Sequence, residues 1–565
     1  MNDDSNKITY FAETDSRHDH KKFGIKAVDR SKHVYVIGKT GMGKSTLLEN
    51  MAIQDIQNGN GVCFIDPHGG TAEKLLEYVP EERIKDVLYL APFDIDFPVA
   101  FNVMEDVGAE KRHLVVSGLM SAFMKLFGEE SFSDRMQYIL QNTILALLEY
   151  PGSTMLGINK MLADKVYRNK VIANITDPSV KTYWTQEYAG YTERFAAEAI
   201  PAIQNKIGQF TSNPLIRNII GQPKSSFNFR KIMDEKKIVI VNLSKGRVGE
   251  GNARLLGSML ITKIYLAAMS RADESAQSLA KLPQFYLFVD EFQSFADKSF
   301  ADILSEARKY KLNLTMAHQY IEQMEEEVRD AVFGNVGSMI AFRVGAYDAD
   351  VLEKEFAPTF IAEDLVNLGL RQIYLKLMID SVTSQPFSAN TLPPIEPQTV
   401  SYVNEIIANS RKIFAKTKSE VEQAIVDWHG ETQPTASPKP SVRFTEPKPI
   451  DTRSLGGDRS SELTASKPKI VVVDRVVAPV VAPKLIIQKP KEVPKMSLGD
   501  LKSKTNNQRK PDEKNVSALA AALKAIVKEE PKPIQSKPVL ASPPKIEEKK
   551  NGPSPEELKK LLGVE

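Results

Sequence analysis

The sequence predicts an α/β protein: a mostly parallel sheet wrapped by helices, with an all-α insertion and a basic C-terminal tail. Three observations predict it. A phosphate-loop pattern lies between a strand and a helix, β-rich apolar runs recur with helical patterns between them, and composition shifts near residues 400–430.

The phosphate loop comes first in the chain. HVYVIGKTGMGKSTLLENMA (33–52) carries Gly38-x-x-x-x-Gly43-Lys44-Ser45, the complete Walker A spacing. The β-rich run His33–Ile37 precedes it, and a helical pattern with Leu47, Leu48, Met51 and Ala52 follows. The candidate cradle is Gly38, Lys39, Thr40, Gly41, Met42, Gly43, Lys44, Ser45 and Thr46. Glycines 38, 41 and 43 let backbone N–H groups turn inward around phosphates, helped by the helix N-terminus. Lys44 is placed to reach the β- and γ-phosphates, and the Ser45 hydroxyl to ligate Mg²⁺. A bare Gly-rich turn with an exposed lysine needs none of this spacing. The expected ligands are ATP and Mg²⁺.

Strand-like runs then recur at 61–66, 86–90, 237–243, 284–290, 312–317, 337–343 and 371–378, after the first at 33–37. The interval 108–230 breaks that rhythm with KRHLVVSGLMSAFMKLF, SDRMQYILQNTILALLEY and RFAAEAIPAIQNKIGQF. A packed all-α insertion explains these amphipathic helices better than membrane contact does.

A phosphate loop needs an acidic partner at the end of another strand. LPQFYLFVDEFQSFA supplies Phe285–Val289 as a buried strand, then Asp290 and Glu291. Asp290 is expected to hold Mg²⁺ through water, and Glu291 to orient or activate the attacking water. In SEARKYKLNLTMAHQY, Gln319 leaves the next strand, where it either senses the γ-phosphate or caps the following turn. Arg308, at a helix end, is either a solvated cation or an arginine finger offered to a neighbouring subunit.

At these residues the chain resembles the FtsK–HerA superfamily of DNA-pumping ATPases, and within it the TraD-like conjugative coupling proteins of type IV secretion systems. The matching stretches are IGKTGMGKST, FIDPHG, FPVAFNVME, IVIVNLSKG, LFVDEFQSFA and ARKYKLNLTMAHQY, in consistent order from about residue 30 to 390. The resemblance implies a RecA-like P-loop NTPase core and an all-α domain that meets DNA or relaxosome components. It also implies a homo-oligomeric ring, usually a hexamer. By position, Arg308 matches the family's trans arginine and Gln319 its sensor glutamine, with Arg343 in SMIAFRV a second arginine candidate. Coupling proteins usually begin with two transmembrane helices, which this sequence does not show.

Composition bounds the rest. No run approaches the ~20 apolar residues of a membrane span, and the N-terminal MNDDSNKITYFAETD is polar and acidic, unlike a signal peptide. The one cysteine, Cys63, lies in the apolar run GVCFID, which excludes a disulfide scaffold and fits a reducing cytoplasm. The expected location is cytoplasmic, free or peripheral at the inner face of the membrane. Residues 431–565 carry 26 Lys/Arg against 17 Asp/Glu and 18 of the 33 prolines, a net charge of +9 beside −7 for the body. Such a tail is expected to be mostly disordered. Two stretches in it, 516–530 and 554–565, read either as short helices for a partner's groove or as transient helix in a solvated tail, and 471–488 as a strand or linker.

The expected organisation is an N-terminal segment (1–29), an ATPase core (30–107 and 231–395), the all-α insertion (108–230), a helical extension (396–430) and the tail (431–565). Three functions compete. One is an ATP-driven ring motor moving DNA, which meets type IV secretion or relaxosome proteins through insertion and tail. Another is a type IV secretion ATPase acting on protein substrates or pilus assembly. The third is a nucleotide-switched scaffold.

Overall fold

The computed structural model describes residues 6–15, 20–105 and 108–430. The segments 471–488, 516–530 and 554–565 therefore lie outside the described residues. The strands, in chain order, are β1 (Ile8–Glu13), β2 (Lys22–Lys26), β3 (Val34–Ile37), β4 (Gly61–Asp66), β5 (Val87–Leu90), β6 (Ile238–Asn242) and β7 (Phe285–Val289). They continue with β8 (Leu312–His318), β9 (Ser338–Ala341), β10 (Gln372–Lys376), β11 (Met378–Ile379), β12 (Val382–Thr383) and β13 (Phe387–Thr391). Eleven of them form one sheet in the order β2-β1-β13-β10-β9-β3-β8-β7-β4-β6-β5, and β11 pairs with β12 as a separate hairpin.

From β9 to β5 every pairing is parallel. From β9 through β10, β13, β1 and β2 every pairing is antiparallel. The two halves differ in sequence for a physical reason. Helices cover both faces of a parallel sheet, so β3, β4, β6, β7, β8 and β9 are buried at every position and read as mainly apolar runs, with Asn313, Thr315, His318 and Ser338 among the buried polar exceptions. The antiparallel strands β1, β2 and β13 interleave exposed or half-buried residues with buried ones. That weaker pattern is why ITYFAE, KFGIK and FSANT escaped the strand reading, and why the sheet extends into the N-terminal segment.

The strand-end loops of the parallel half do the positioning. β3 feeds the loop that opens helix α1 (Lys44–Gln57), and β7 and β8 end beside it. Cys63 is fully buried in β4, where burial pushes its thiol pKa up, as expected of a core residue.

Between β5 and β6 the chain is helical, with long helices at Arg112–Phe127, Asp134–Leu148 and Glu193–Thr211, the last containing Pro201. These helices do not form an isolated core. Leu119, Phe123, Leu140 and Ile144 belong to the same apolar cluster as Leu88 and Leu90 of the sheet. Contact with the sheet side is close: a Cβ on Gly118 would fall 2.6 Å from Thr262 Cγ2 on the helix Glu250–Met269. Apolar residues of the insertion are thus packed into the core shared with the sheet. Among the described residues no helix is long and apolar enough to cross a membrane.

Helices Val403–Phe414 and Lys418–Gly430 follow the sheet. The first is tied to the β5 edge, where Ser410 Oγ accepts from Tyr89 N (2.9 Å) and Arg411 forms a two-pronged pair with Asp94 (2.7 and 2.9 Å). The second buries Val421 and Ile425 against Leu156 of the insertion.

Candidate active site

The phosphate loop closes over itself. Gly41 and Gly43 take φ of 78° and 116°, a region that side chains with a Cβ avoid. No side chain caps α1 at Gly43, so the N–H groups of its first turn are left for a ligand. Lys44 is buried and folds back, donating to the carbonyls of Gly38 (2.6 Å) and Lys39 (3.1 Å). Burial lowers its pKa, and the nearby Glu291 and Asp290 charges oppose that shift.

Two strands bring the acids and the glutamine to this loop. Asp290, just past β7, accepts from Ser45 Oγ at 2.8 Å. A hydroxyl and a carboxylate oxygen side by side suit a hard divalent cation that keeps most of its water, so these two residues fit Mg²⁺. Burial raises the Asp290 carboxyl pKa, against the lowering effect of the Ser45 hydrogen bond. Glu291 sits in the left-handed region at φ 48°, unusual for a non-glycine residue and a feature that strained functional sites share. Gln319, just past β8, accepts from Thr40 Oγ1 (3.0 Å) and donates to Glu291 Oε1. The loop, the glutamine and the glutamate thus form one hydrogen-bonded chain.

Glu291 has further partners that sequence reasoning did not assign. Gln293 Nε2 donates to its Oε2 (2.6 Å), and His68 Nε2 lies 3.9 Å from its Oε1. His68 belongs to FIDPHG, where Asp66 fixes the turn by accepting from His68 N (2.7 Å) and Ala72 N (2.9 Å). Burial would raise the Glu291 pKa, yet His68, Gln293, Gln319 and the Lys44 charge together bring it down to about 2. The group is therefore a carboxylate at any physiological pH. Beneath it, His318 is buried and its pKa is pushed down to about 3, chiefly by desolvation, so its ring is neutral there. The Tyr35 hydroxyl meets its Nδ1 at 3.0 Å.

The two arginines take different places. Arg308 lies in the short turn Ala307–Tyr310 before β8, exposed and without a hydrogen bond or ion pair from its side chain among the described residues. β8 runs parallel to β3, so Arg308 stands at the edge of the sheet opposite the phosphate loop. The seven residues of β8 alone put ~20 Å between those edges. Arg308 is not brought to the site of its own subunit. Arg343, also exposed, follows β9, and its carbonyl accepts from Lys39 N at 2.8 Å, which places it beside its own loop.

Comparison with known proteins agrees with this architecture. The family described as type IV secretory system conjugative DNA transfer matches residues 6–345. No curated protein matches the chain. Among solved structures, the plasmid coupling protein TrwB in complex with ADP and Mg²⁺ is 14% identical, with a TM-score of 0.50, over 70% of this chain and 98% of TrwB. An unbound form of the bacterial conjugative coupling protein TrwB is 13% identical over 69% and 94% of the two chains, with a TM-score of 0.49. VirB4 of Thermoanaerobacter pseudethanolicus is 12% identical over 72% and 99%, with a TM-score of 0.45. The likeness to the ADP-bound structure is one of fold. With the family match spanning more than half of its length, the chain belongs to the type IV secretory system conjugative DNA transfer family.

Proposed function

We propose that this chain is an ATP-hydrolysing motor that works as a ring, usually a hexamer in proteins of this kind, and moves DNA. The observation that carries this reading is the hydrogen-bonded chain Thr40–Gln319–Glu291 beside the Ser45–Asp290 pair. A nucleotide switch needs a phosphate cradle; it does not need a carboxylate wired to the loop through a glutamine. Family membership and the ADP and Mg²⁺ in the TrwB structure support the choice of nucleotide, cation and substrate.

The chemistry follows from the residues present. Phosphates in the cradle give Lys44 stronger acceptors than the carbonyls of Gly38 and Lys39, so it turns to the β- and γ-oxygens. Ser45, and Asp290 through water, would hold Mg²⁺, which would supply positive charge beside the phosphates. Glu291 accepts a hydrogen bond from the attacking water and aims it. With a pKa near 2 it is a poor base at rest, and the negative γ-phosphate raises that pKa as the proton leaves. Gln319 reports whether Thr40 and Glu291 are correctly spaced, a sensor role rather than a turn cap.

ATP turnover measured with and without DNA tests the function. The motor reading expects strong stimulation by DNA. Stimulation by a protein substrate instead supports a secretion ATPase, and negligible turnover under all conditions supports a scaffold. The tail adds a second expectation. Its net charge of +9 should contribute sequence-independent DNA affinity that falls steeply with salt. Truncation after residue 430 should weaken DNA binding at low salt and leave basal ATPase intact. An unchanged salt slope in the truncated protein assigns the tail to protein partners.

A further inference from the structure

The reacting acids occupy only one flank of the phosphate loop. Glu291 and Gln319 stand on the β8–β7 side of β3, and the sheet order puts β9, β10 and β13 on the other side. On the proposed function a triphosphate would lie along the loop with its γ-phosphate at Glu291. Its α-phosphate, ribose and base must therefore leave toward the opposite flank.

That flank holds a built feature to which no role has been assigned. Arg371 precedes β10 at φ 64°, a left-handed conformation that an arginine adopts at a cost. Three main-chain contacts hold it there. Its N–H donates to the carbonyl of Met42 in the loop (3.4 Å), and its own carbonyl accepts from Thr391 N (2.8 Å) and Thr391 Oγ1 (3.4 Å). Thr391 Oγ1 lies 3.9 Å from where a Cβ on Gly43 would stand, so this corner borders the start of α1. The segment beyond Thr391 is tied to α1 as well. Asn50 Nδ2 donates to the Pro393 carbonyl (2.9 Å), and Asn50 Oδ1 accepts from Ile395 N (3.1 Å). The backbone of Arg371 is therefore fixed to the loop, while its side chain is exposed and makes no hydrogen bond or ion pair among the described residues.

We infer that the Arg371 guanidinium contacts the nucleoside part of the nucleotide on its own subunit's phosphate loop. A planar guanidinium stacks on a purine face and donates to ribose oxygens, tasks that a lysine's point charge performs poorly. The inference rests on the nucleotide-site reading above, and deepens it by naming a residue for the end of the ligand that the Walker residues do not touch.

The test compares ATP with inorganic tripolyphosphate, each with Mg²⁺, by calorimetric titration of the full chain. Arg371→Gly is the informative variant, because glycine keeps the left-handed backbone and removes only the side chain. ATP affinity should fall about tenfold, with tripolyphosphate affinity unchanged. Arg371→Lys should recover little of the loss. Equal weakening of both ligands would show a phosphate contact or a damaged loop, and unchanged ATP affinity would show no contact; either overturns the inference while leaving the phosphate site standing. If the unaltered protein binds neither ligand, the nucleotide-site reading fails first and takes the inference with it.

Discussion

Replacing Glu291 with Gln is expected to lower steady-state ATP hydrolysis by ~10²-fold or more while ATP stays bound. The glutamine keeps the size of the side chain and its hydrogen bonding to Gln319, but it carries no charge with which to orient a water or take its proton. Product formation stalls and the nucleotide remains in place, so the assembled ring should be trapped in its ATP-bound form. Lys44→Ala should also abolish turnover, by a different route: the phosphates lose the cation that offsets their charge, and binding weakens as well. The comparison of bound nucleotide in the two variants separates the roles. Near-normal turnover in the Glu291 variant would remove that residue from the chemistry, and Gln293 and His68, both facing Glu291, would need reassignment.

Replacing Arg308 with Ala should be equally severe, although the residue is remote from its own subunit's loop. On the proposed function Lys44 and Mg²⁺ would offset the ground-state charge of the phosphates, but charge moving toward the β,γ-bridge would need another cation. Arg308 cannot supply it in its own subunit, because it stands at the opposite edge of the sheet with all of β8 between. Its exposure, and the lack of an ion pair from its side chain among the described residues, fit a cation held for a neighbour. Arginine fingers contribute on the order of 10³-fold or more to turnover. The variant should bind ATP normally, hydrolyse it very slowly, and keep its fold, since the side chain is exposed.

Much of this was legible in the chain because parallel strands buried on both faces leave a strong signal. GVCFID, IVIVN and FYLFV are almost wholly apolar and LNLTMAH is buried along its length, and the loops after β4, β7 and β8 carry polar site residues. The phosphate loop, the Asp290–Glu291 pair and Gln319 could therefore be placed by counting from strand ends. What escaped was of two kinds. Antiparallel strands such as β2 and β13 mix buried with exposed or half-buried positions, so their periodicity merges with that of loops. Residues that act through tertiary placement leave no local pattern: His68 reaches Glu291 only because β4 and β7 are neighbours, and Arg371 reaches Met42 only through the antiparallel turn-back of β10. The remoteness of Arg308 could have been read, since a residue preceding a parallel strand lies opposite one that follows its neighbour. The polarity of the strands carried that information.

The central claim is that each working site is built from two subunits of a ring, and complementation between inactive variants tests it most directly. Arg308→Ala keeps an intact Lys44, and Lys44→Ala keeps an intact Arg308. In rings assembled from equal amounts of the two, random pairing makes roughly a quarter of the interfaces complete. ATP hydrolysis, absent from either protein alone, should return on mixing in proportion to those interfaces. If mixed oligomers demonstrably form and no activity returns, Arg308 does not act across the interface. The shared-site account is then contradicted, and Arg343, beside its own loop, becomes the arginine to examine.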